Sequence, residues 1–412
     1  MTGFFSKIET RSVTRPDGRH LSCTACGLFR TAHTPKMKPF GDFEKQIMCI
    51  GAVPEEIEDI RGKQWQGKSG QLLKKTLAEL GIDLFKDCIN LNAVNCRPKT
   101  EEGETKIPKP FEVECCRRIV MSYIKQYKPK VIILFGNLAV QSVIGDRWKK
   151  DLGQISKWTG FTIPDQELQT WLCPVFHPIY LVKDDKPELM SVWKRDLKKA
   201  VELSNNSLFP VYKKPNIIYL EKTELDVFDK IKSGAIAFDF ETTGLKPHMT
   251  GHKIICASVA TSQQDVYVFM MPNKRSLRQA FVRLLENENV KKIAHNMKYE
   301  HAWSLNILEA NVKNWSFDTM LAAHILDNRE GTTGLKFQTF VRFGIIDYAS
   351  DVTPFLSASD EFGSNTINSI QTFVKSTESA MKLQEYCALD SVFTFRLYAI
   401  QKQEMEQLQL PF

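Results

Sequence analysis

The sequence predicts an α/β protein of two domains, a parallel sheet in the first and a mixed sheet in the second. Three observations carry this. At 412 residues the chain exceeds what one hydrophobic core usually holds. Up to about residue 203, short apolar runs alternate with helical periodicity, the order of a parallel sheet. Beyond a polar join, Ala235 to Leu245 is followed closely by two more strand-like runs, the spacing of a meander.

In the first half, strands are expected at Gln46 to Ile50, Cys88 to Asn92 and Val131 to Phe135, with helices at Gly70 to Leu80 and Phe111 to Tyr127. Ser204 to Pro215 is polar, carries two prolines and reads as a linker, so the domains are expected at 1–203 and 215–412 with 204–214 between them. In the second half a short strand is expected at Ile217 to Leu220 and a helix near Glu224 to Lys232. Strands at Ile254 to Ala260 and Val266 to Met271 follow the opening strand. Asp347 to Ser364, rich in Asp, Ser and Gly, reads as a mobile loop.

Charge is unevenly divided. Residues 1–210 hold 33 Lys and Arg against 25 Asp and Glu, while the remainder is balanced. A basic half beside a neutral one suits a polyanionic ligand, although a solvated lysine surface is the plainer reading. The first 20 residues lack a signal-peptide core and no stretch approaches a membrane span, so a cytoplasmic protein (host cytoplasm if viral) with no membrane partner is expected. There, ten cysteines are not expected to pair as disulfides. Cys23 and Cys26 form a CxxC turn, to which Cys96 and Cys116 can add two thiolates, with Cys115 competing for the last place. Cys49, Cys88 and Cys256 sit in apolar runs and read as core.

Gly62 to Ser69 fits the GxxxxGK[ST] phosphate-loop pattern by letter. That loop must leave a strand directly, and here four acidic residues separate it from the nearest strand, so the pattern is rejected.

A different likeness covers residues 20–203. IGAVPEEIEDIRGKQWQGKSGQLL at 50–73, NLNAVNCRP at 90–98, PKVIILFGNLAV at 129–140 and FHPIYLV at 176–182 together resemble the family 4, iron-sulfur uracil-DNA glycosylases. The resemblance implies a glycosylase-like parallel α/β domain that binds DNA. Trp65 takes the place of the residue stacking on a flipped base, Asn92 of the one reading its edge, and His177 of the catalytic histidine. Cys23, Cys26, Cys96 and Cys116 take the places of ligands to a 4Fe-4S cluster, for which zinc is the alternative that four thiolates also suit. Ala52 stands where the family has Glu and Glu55 where it has Gly. Weak or absent uracil excision with retained DNA binding is therefore expected.

On the strand AIAFDFETTGL, Asp239 and Glu241 share a face opposite Ile236, Phe238 and Phe240, about 7 Å apart at the backbone. Alone this reads as two solvated acids on a half-buried strand. KKIAHNMKYEH follows, placing Glu300 on a helix after a strand reaching Ala294, and then Tyr386 and Asp390 at i,i+4 on a long helix. In this order, with FDTMLAAHILD and GLKFQTF between, the motifs resemble the DEDDy 3'-5' exonucleases, most of all the proofreading domain of family A DNA polymerases, over residues 215–403. The likeness implies a ribonuclease-H-like mixed-sheet fold and two divalent cations, Mg or Mn, held by Asp239, Glu241, Glu300 and Asp390. It also implies a water oriented by Tyr386 and a terminal nucleotide held by Asn296 and Leu245. Glu300 stands where Asp is usual.

The chain ends where such polymerases continue, so the expected partner is a separately encoded DNA polymerase in a phage-type replication arrangement. QLQLPF at the C-terminus resembles a sliding-clamp docking peptide. Two other readings compete with the exonuclease: a repair glycosylase, and a non-catalytic DNA-clamp or processivity factor.

Overall fold

The computed structural model describes residues 22–148, 151–183, 187–206, 208–346, 348–356 and 366–410. Contacts divide the chain into two compact units, Met1–Val211 with Val341–Ile346, and Tyr212–Phe340 with Asp347–Phe412.

The first unit is built on five strands: β1 (Ile47–Gly51), β2 (Cys88–Asn92), β3 (Val131–Phe135), β4 (Ile163–Asp165) and β5 (Thr170–Val175), in the order β2-β1-β3-β5-β4. All neighbours are parallel except β4, which runs against β5. β1, β2 and β3 are buried along their whole length, as strands covered on both faces must be. The helices are α1 (Glu56–Arg61), α2 (Lys68–Glu79), α3 (Pro110–Tyr127), α4 (Gly136–Arg147), α5 (Ile179–Lys183) and α6 (Pro187–Asn206). Leu73 and Leu77 of α2, one turn apart, and Trp193 and Leu197 of α6 pack with Ile47 and Ile133 in one core. α6 runs three residues into the expected linker, because Val201 and Ser204 still face the interior. Gly62 ends α1 and Gly67 caps α2, so the GxxxxGKS letters bridge two helices and follow no strand.

The second unit holds β6 (Asn216–Tyr219), β7 (Gly234–Thr242), β8 (Ile254–Ala260), β9 (Asp265–Met270), β10 (Val290–Ala294) and β11 (Trp315–Asp318), in the order β11-β10-β7-β8-β9-β6. β7, β8 and β9 form the antiparallel meander, while β10 and β11 run parallel to β7 and make the sheet mixed. The helices are α7 (Arg275–Glu286), α8 (Met297–Trp303), α9 (Thr319–Leu326), α10 (Leu335–Phe343, of which the last three residues are counted with the first unit), α11 (Thr353–Leu356), α12 (Ile370–Phe373) and α13 (Thr377–Gln407). The alternation of β7 divides the core: Ile236, Phe238 and Phe240 pack with Phe281 of α7 and Trp303 of α8. Ala237 on the other face packs with Tyr386, Cys387 and Val392 of α13. The helix expected near Glu224 is a 3-10 turn, Leu225–Lys230, whose buried Leu225 and Phe228 sit three apart, the spacing that such a turn eclipses.

The mobile-loop reading of Asp347 to Ser364 is corrected for its described part. Ala349 and Val352 are buried in the core, and α11 follows. Two apolar residues three apart are too little periodicity to show in a polar run. Asp347 and residues 357–365 lie outside the described residues.

Candidate active sites

In the first unit the C-terminal ends of β1, β2, β3 and β5 open on one cavity of about 460 Å³, the edge at which parallel sheets bind ligands. Ala52 follows β1, Asn92 ends β2, Gly136 follows β3 and His177 follows β5, and all four line it. Trp65 reaches it from the loop between α1 and α2, in a left-handed backbone conformation with φ 60°. Its indole is only 6% exposed. It meets Phe135 edge-on at 5.0 Å and lies nearly parallel to the His177 ring at 5.6 Å. Gly51 is required here, since a Cβ would sit 2.6 Å from Asn92 Oδ1 and 3.1 Å from the indole.

Two buried donors, Asn92 Nδ2 and Trp65 Nε1, have no hydrogen-bond partner among the described residues. A ligand with carbonyl acceptors satisfies such groups, and leaving them unpaired is costly. Ile179 N–H donates to His177 Nδ1 at 3.2 Å, which leaves the proton of the neutral ring on Nε2. Burial lowers the His177 pKa to about 4, so the imidazole is a neutral donor at pH 7.

Glu58 holds the loop behind this pocket and carried no sequence signal beyond a capping pattern. Its carboxylate accepts from Glu55 N–H at 3.0 Å and from Gln66 N–H at 3.1 Å, pinning the chain next to Trp65. Burial raises its pKa, partly offset by those amides. Glu55 is exposed at the mouth of the cavity as the N-cap of α1.

Beside the pocket, the thiols of Cys23, Cys26, Cys96 and Cys116 come together from three segments. Cys23 and Cys26 raise the cost of ionising Cys96, and all three raise that of Cys116. Burial first, then these neighbours, pushes Cys116 up to about 12, against one amide from Asn95. Lys36 N–H donates to Cys96 Sγ at 3.1 Å. Leu28, Val94 and Val113 pack around Cys96 and Cys116. Cys115, its neighbour in the chain, is fully buried. Four sulfur donors in an apolar nest with an amide on one sulfur fit a thiolate-bound centre.

In the second unit Asp239 and Glu241 leave the face of β7 that α13 covers. Asp239 pairs with Ser258 and Glu241 with Cys256 across β8. Ser258 Oγ donates to the Cys387 carbonyl at 2.7 Å and meets Ser391 Oγ at 2.6 Å, fastening α13 to the sheet where it carries Tyr386 and Asp390. Cys387 Sγ stands 3.8 Å from Asp239 Oδ2. Ligand atoms of Asp239, Glu241 and Cys387 lie within 4.8 Å of one another. Glu300 on α8 is 2% exposed, with Oε2 unpartnered. Burial, then neighbouring carboxylates, raises the pKa of Asp239, Glu241 and Glu300. Mutually repelling acids, Glu241 and Glu300 buried and Asp239 half-buried, with an orphaned oxygen are what a divalent cation satisfies, so the donor set fits a metal.

Asn296 begins α8 with φ 75°, its N–H held by Asp318 Oδ1 at 3.1 Å, and Leu245 is 66% exposed beyond β7. Asp318 was missed in the sequence, although an Asp before an apolar run is an N-cap signal. Its carboxylate also accepts from Met297, Met320 and Leu321 N–H, serving the starts of both α8 and α9. Lys336 and Tyr348 were missed as well. Lys336 Nζ forms an ion pair with Asp390 Oδ1, and the Tyr348 hydroxyl donates to the same oxygen at 2.6 Å. No local pattern foretells either contact.

Residues 38–198 match the uracil DNA glycosylase superfamily, and residues 215–406 match the 3'-5' exonuclease family. The type-4 uracil-DNA glycosylase of Pyrobaculum aerophilum is 31% identical over 160 residues, 38% of this chain and 77% of that protein. The first half of the chain belongs to the uracil-DNA glycosylase superfamily. The second half is a 3'-5' exonuclease domain, and the protein is a nuclease-type hydrolase. The type-4 enzyme of Archaeoglobus fulgidus is 27% identical over 188 residues, 44% of this chain and 88% of that one. The DNA polymerase of Bacillus phage SP01 is 26% identical over 332 residues, spanning both domains. That match takes in 71% of this chain but only 34% of the polymerase. Among the described residues no helix is long and apolar enough to cross a membrane.

Proposed function

We propose that the exonuclease domain removes nucleotides from DNA 3' ends in a metal-dependent hydrolysis that proofreads for a DNA polymerase. The observation that carries this is the group of half-buried Asp239 with buried Glu241 and Glu300 on one side of β7 and α8, with Tyr386 and Asp390 facing it from α13. Divalent cations, Mg or Mn, supply a more acidic water and neutralise phosphate charge when held by these carboxylates. The Tyr386 hydroxyl orients the attacking water. Attack on the terminal phosphorus breaks its bond to the 3' oxygen, releasing a nucleoside 5'-monophosphate and leaving a 3'-hydroxyl. Asn296 and the exposed Leu245 hold the departing nucleotide. A strand labelled on its last nucleotide tests this: labelled monophosphate should appear, and more slowly with Tyr386→Phe. Release of nucleosides, or release from the 5' end, contradicts the reading.

The glycosylase domain acts as a second hold on DNA, with a 4Fe-4S cluster on Cys23, Cys26, Cys96 and Cys116. Unpaired Asn92 Nδ2 and the neutral His177 favour a pocket that still accepts a base. Ala52 removes the family's acid, and Glu55 adds charge at the mouth. The likeness to a phage DNA polymerase supports a polymerase partner. Residues 407–412 are proposed to dock on a sliding clamp. Leu410 packs against the exonuclease core and its N–H bonds Met405 O, so docking needs that side chain released, while Pro411 and Phe412 lie outside the described residues.

A further inference from the structure

Asp390 differs from the other carboxylates of the exonuclease site in having a cation built into its surroundings. Lys336 Nζ is paired with its Oδ1, and Tyr348 donates to that oxygen at 2.6 Å. Both donors use one oxygen, so Oδ2 remains for another ligand. The ammonium also lies 3.9 Å from the centre of the Tyr348 ring and 4.1 Å from that of Tyr386, over the faces of both. The Lys336 side chain is 20% exposed and that of Asp390 9%. A lysine that only solubilised α10 would extend into water. Here an anion and two aromatic faces hold it in place.

We propose that Lys336 is a resident cation of the exonuclease site, a positioning residue whose charge competes with the divalent cation while its hydrogen bond fixes Asp390 for catalysis. With Tyr348 it locks the carboxylate through Oδ1, much as outer groups orient metal ligands elsewhere. Its positive charge offsets repulsion among Asp239, Glu241, Glu300 and Asp390 before a cation binds. The same charge then opposes a divalent cation held a few ångströms away. Binding affinity and catalytic rate therefore respond to Lys336 in opposite directions, which a merely structural lysine would not produce.

This rests on the reading of the four carboxylates as the cation site, and the experiment separates the two claims. Free Mn²⁺ is followed by electron paramagnetic resonance as it is titrated into the full chain, alongside the rate of 3'-end degradation at saturating Mn²⁺. Lys336→Met should bind Mn²⁺ about tenfold tighter, since one opposing charge is gone. Its rate should fall about 10- to 100-fold, the usual cost of removing an orienting group. Lys336→Arg should restore wild-type affinity. Lys336→Gln, which keeps a donor but no charge, should also bind more tightly and serves if the methionine variant does not fold. Tyr348→Phe keeps the charge, so its affinity should stay near wild type while its rate falls. Unchanged or weaker Mn²⁺ binding in Lys336→Met or Lys336→Gln overturns the proposal alone. Mn²⁺ binding that survives Asp239→Ala unaltered overturns the cation-site reading itself.

Discussion

The His177 imidazole and the Trp65 indole lie nearly parallel, 28° apart with centres 5.6 Å from each other. Two stacked aromatic faces are typically about 3.5 Å apart at the surface, so a base cannot slip between these rings. A base in this cavity must lie outside the gap between them, and Asn92, whose Nδ2 is unpaired, lines the same cavity. With Ala52 and Glu55 in the same cavity, uracil release from a single-stranded oligonucleotide should be slow. The double variant Ala52→Glu, Glu55→Gly should raise it about 100-fold or more, the scale of one restored catalytic group. Wild-type release as fast as that of a type-4 enzyme would contradict this.

The cysteine site gives a prediction that distinguishes adjacent residues. Cys116 is beside Cys23, Cys26 and Cys96, and Cys115 precedes it on the same helix. Cys116→Ser should therefore lose most of its bound iron and sulfide, and Cys115→Ser should keep it. Elemental and sulfide analysis of anaerobically purified protein decides, and stoichiometric zinc without iron would replace the cluster with a zinc site. Loss of metal should also weaken the pocket, because Asn92 and Cys96 belong to one short buried turn.

Stability should depend on pH through two histidines. Burial holds the pKa of His177 and of His295 down to about 4, below the unfolded value of about 6.5. The folded protein stays unprotonated while the unfolded chain takes up protons below pH 6.5. The associated stability is complete above that pH and is lost as pH falls towards 4. Thermal unfolding of His177→Gln should lose less of its midpoint between pH 7 and pH 5 than wild type does. Equal losses would show that His177 does not titrate in this way.

Divalent cations should stabilise the exonuclease domain against unfolding. At a hundredfold excess over the dissociation constant the gain is about 2.7 kcal/mol. Differential scanning calorimetry should show that transition rising with Mg²⁺ or Mn²⁺ in wild type and not in Asp239→Ala. A rise of equal size in the variant would place the stabilising cation elsewhere.

The legible parts of this molecule were those with local patterns. Fully apolar runs such as Val131 to Phe135 show buried parallel strands, and the alternation of Ala235 to Glu241 divides the two faces of β7. The spacing of Tyr386 and Asp390 places both on one side of α13. What stayed hidden depends on distant segments. Nothing near Lys336 or Tyr348 in sequence shows that each will reach Asp390, 54 and 42 residues away. Within the Asp347 to Ser364 stretch, the polarity of the described residues 348–356 hides two core residues, Ala349 and Val352. Glu58 has an ordinary capping pattern, and only its burial shows that it also fixes the Trp65 loop.

The central claim, a metal-dependent 3'-5' exonuclease seated on β7, is tested most directly by one comparison. A 5'-labelled DNA strand is incubated with wild type or Asp239→Ala in Mg²⁺ or Mn²⁺, with chelator as the control. Wild type should shorten the strand from its 3' end, and chelator should stop it. Asp239→Ala should be slower by a factor of about 10² or more, as when a group stabilising the transition state is removed. Equal shortening by both proteins, or shortening that persists in chelator, would contradict the account.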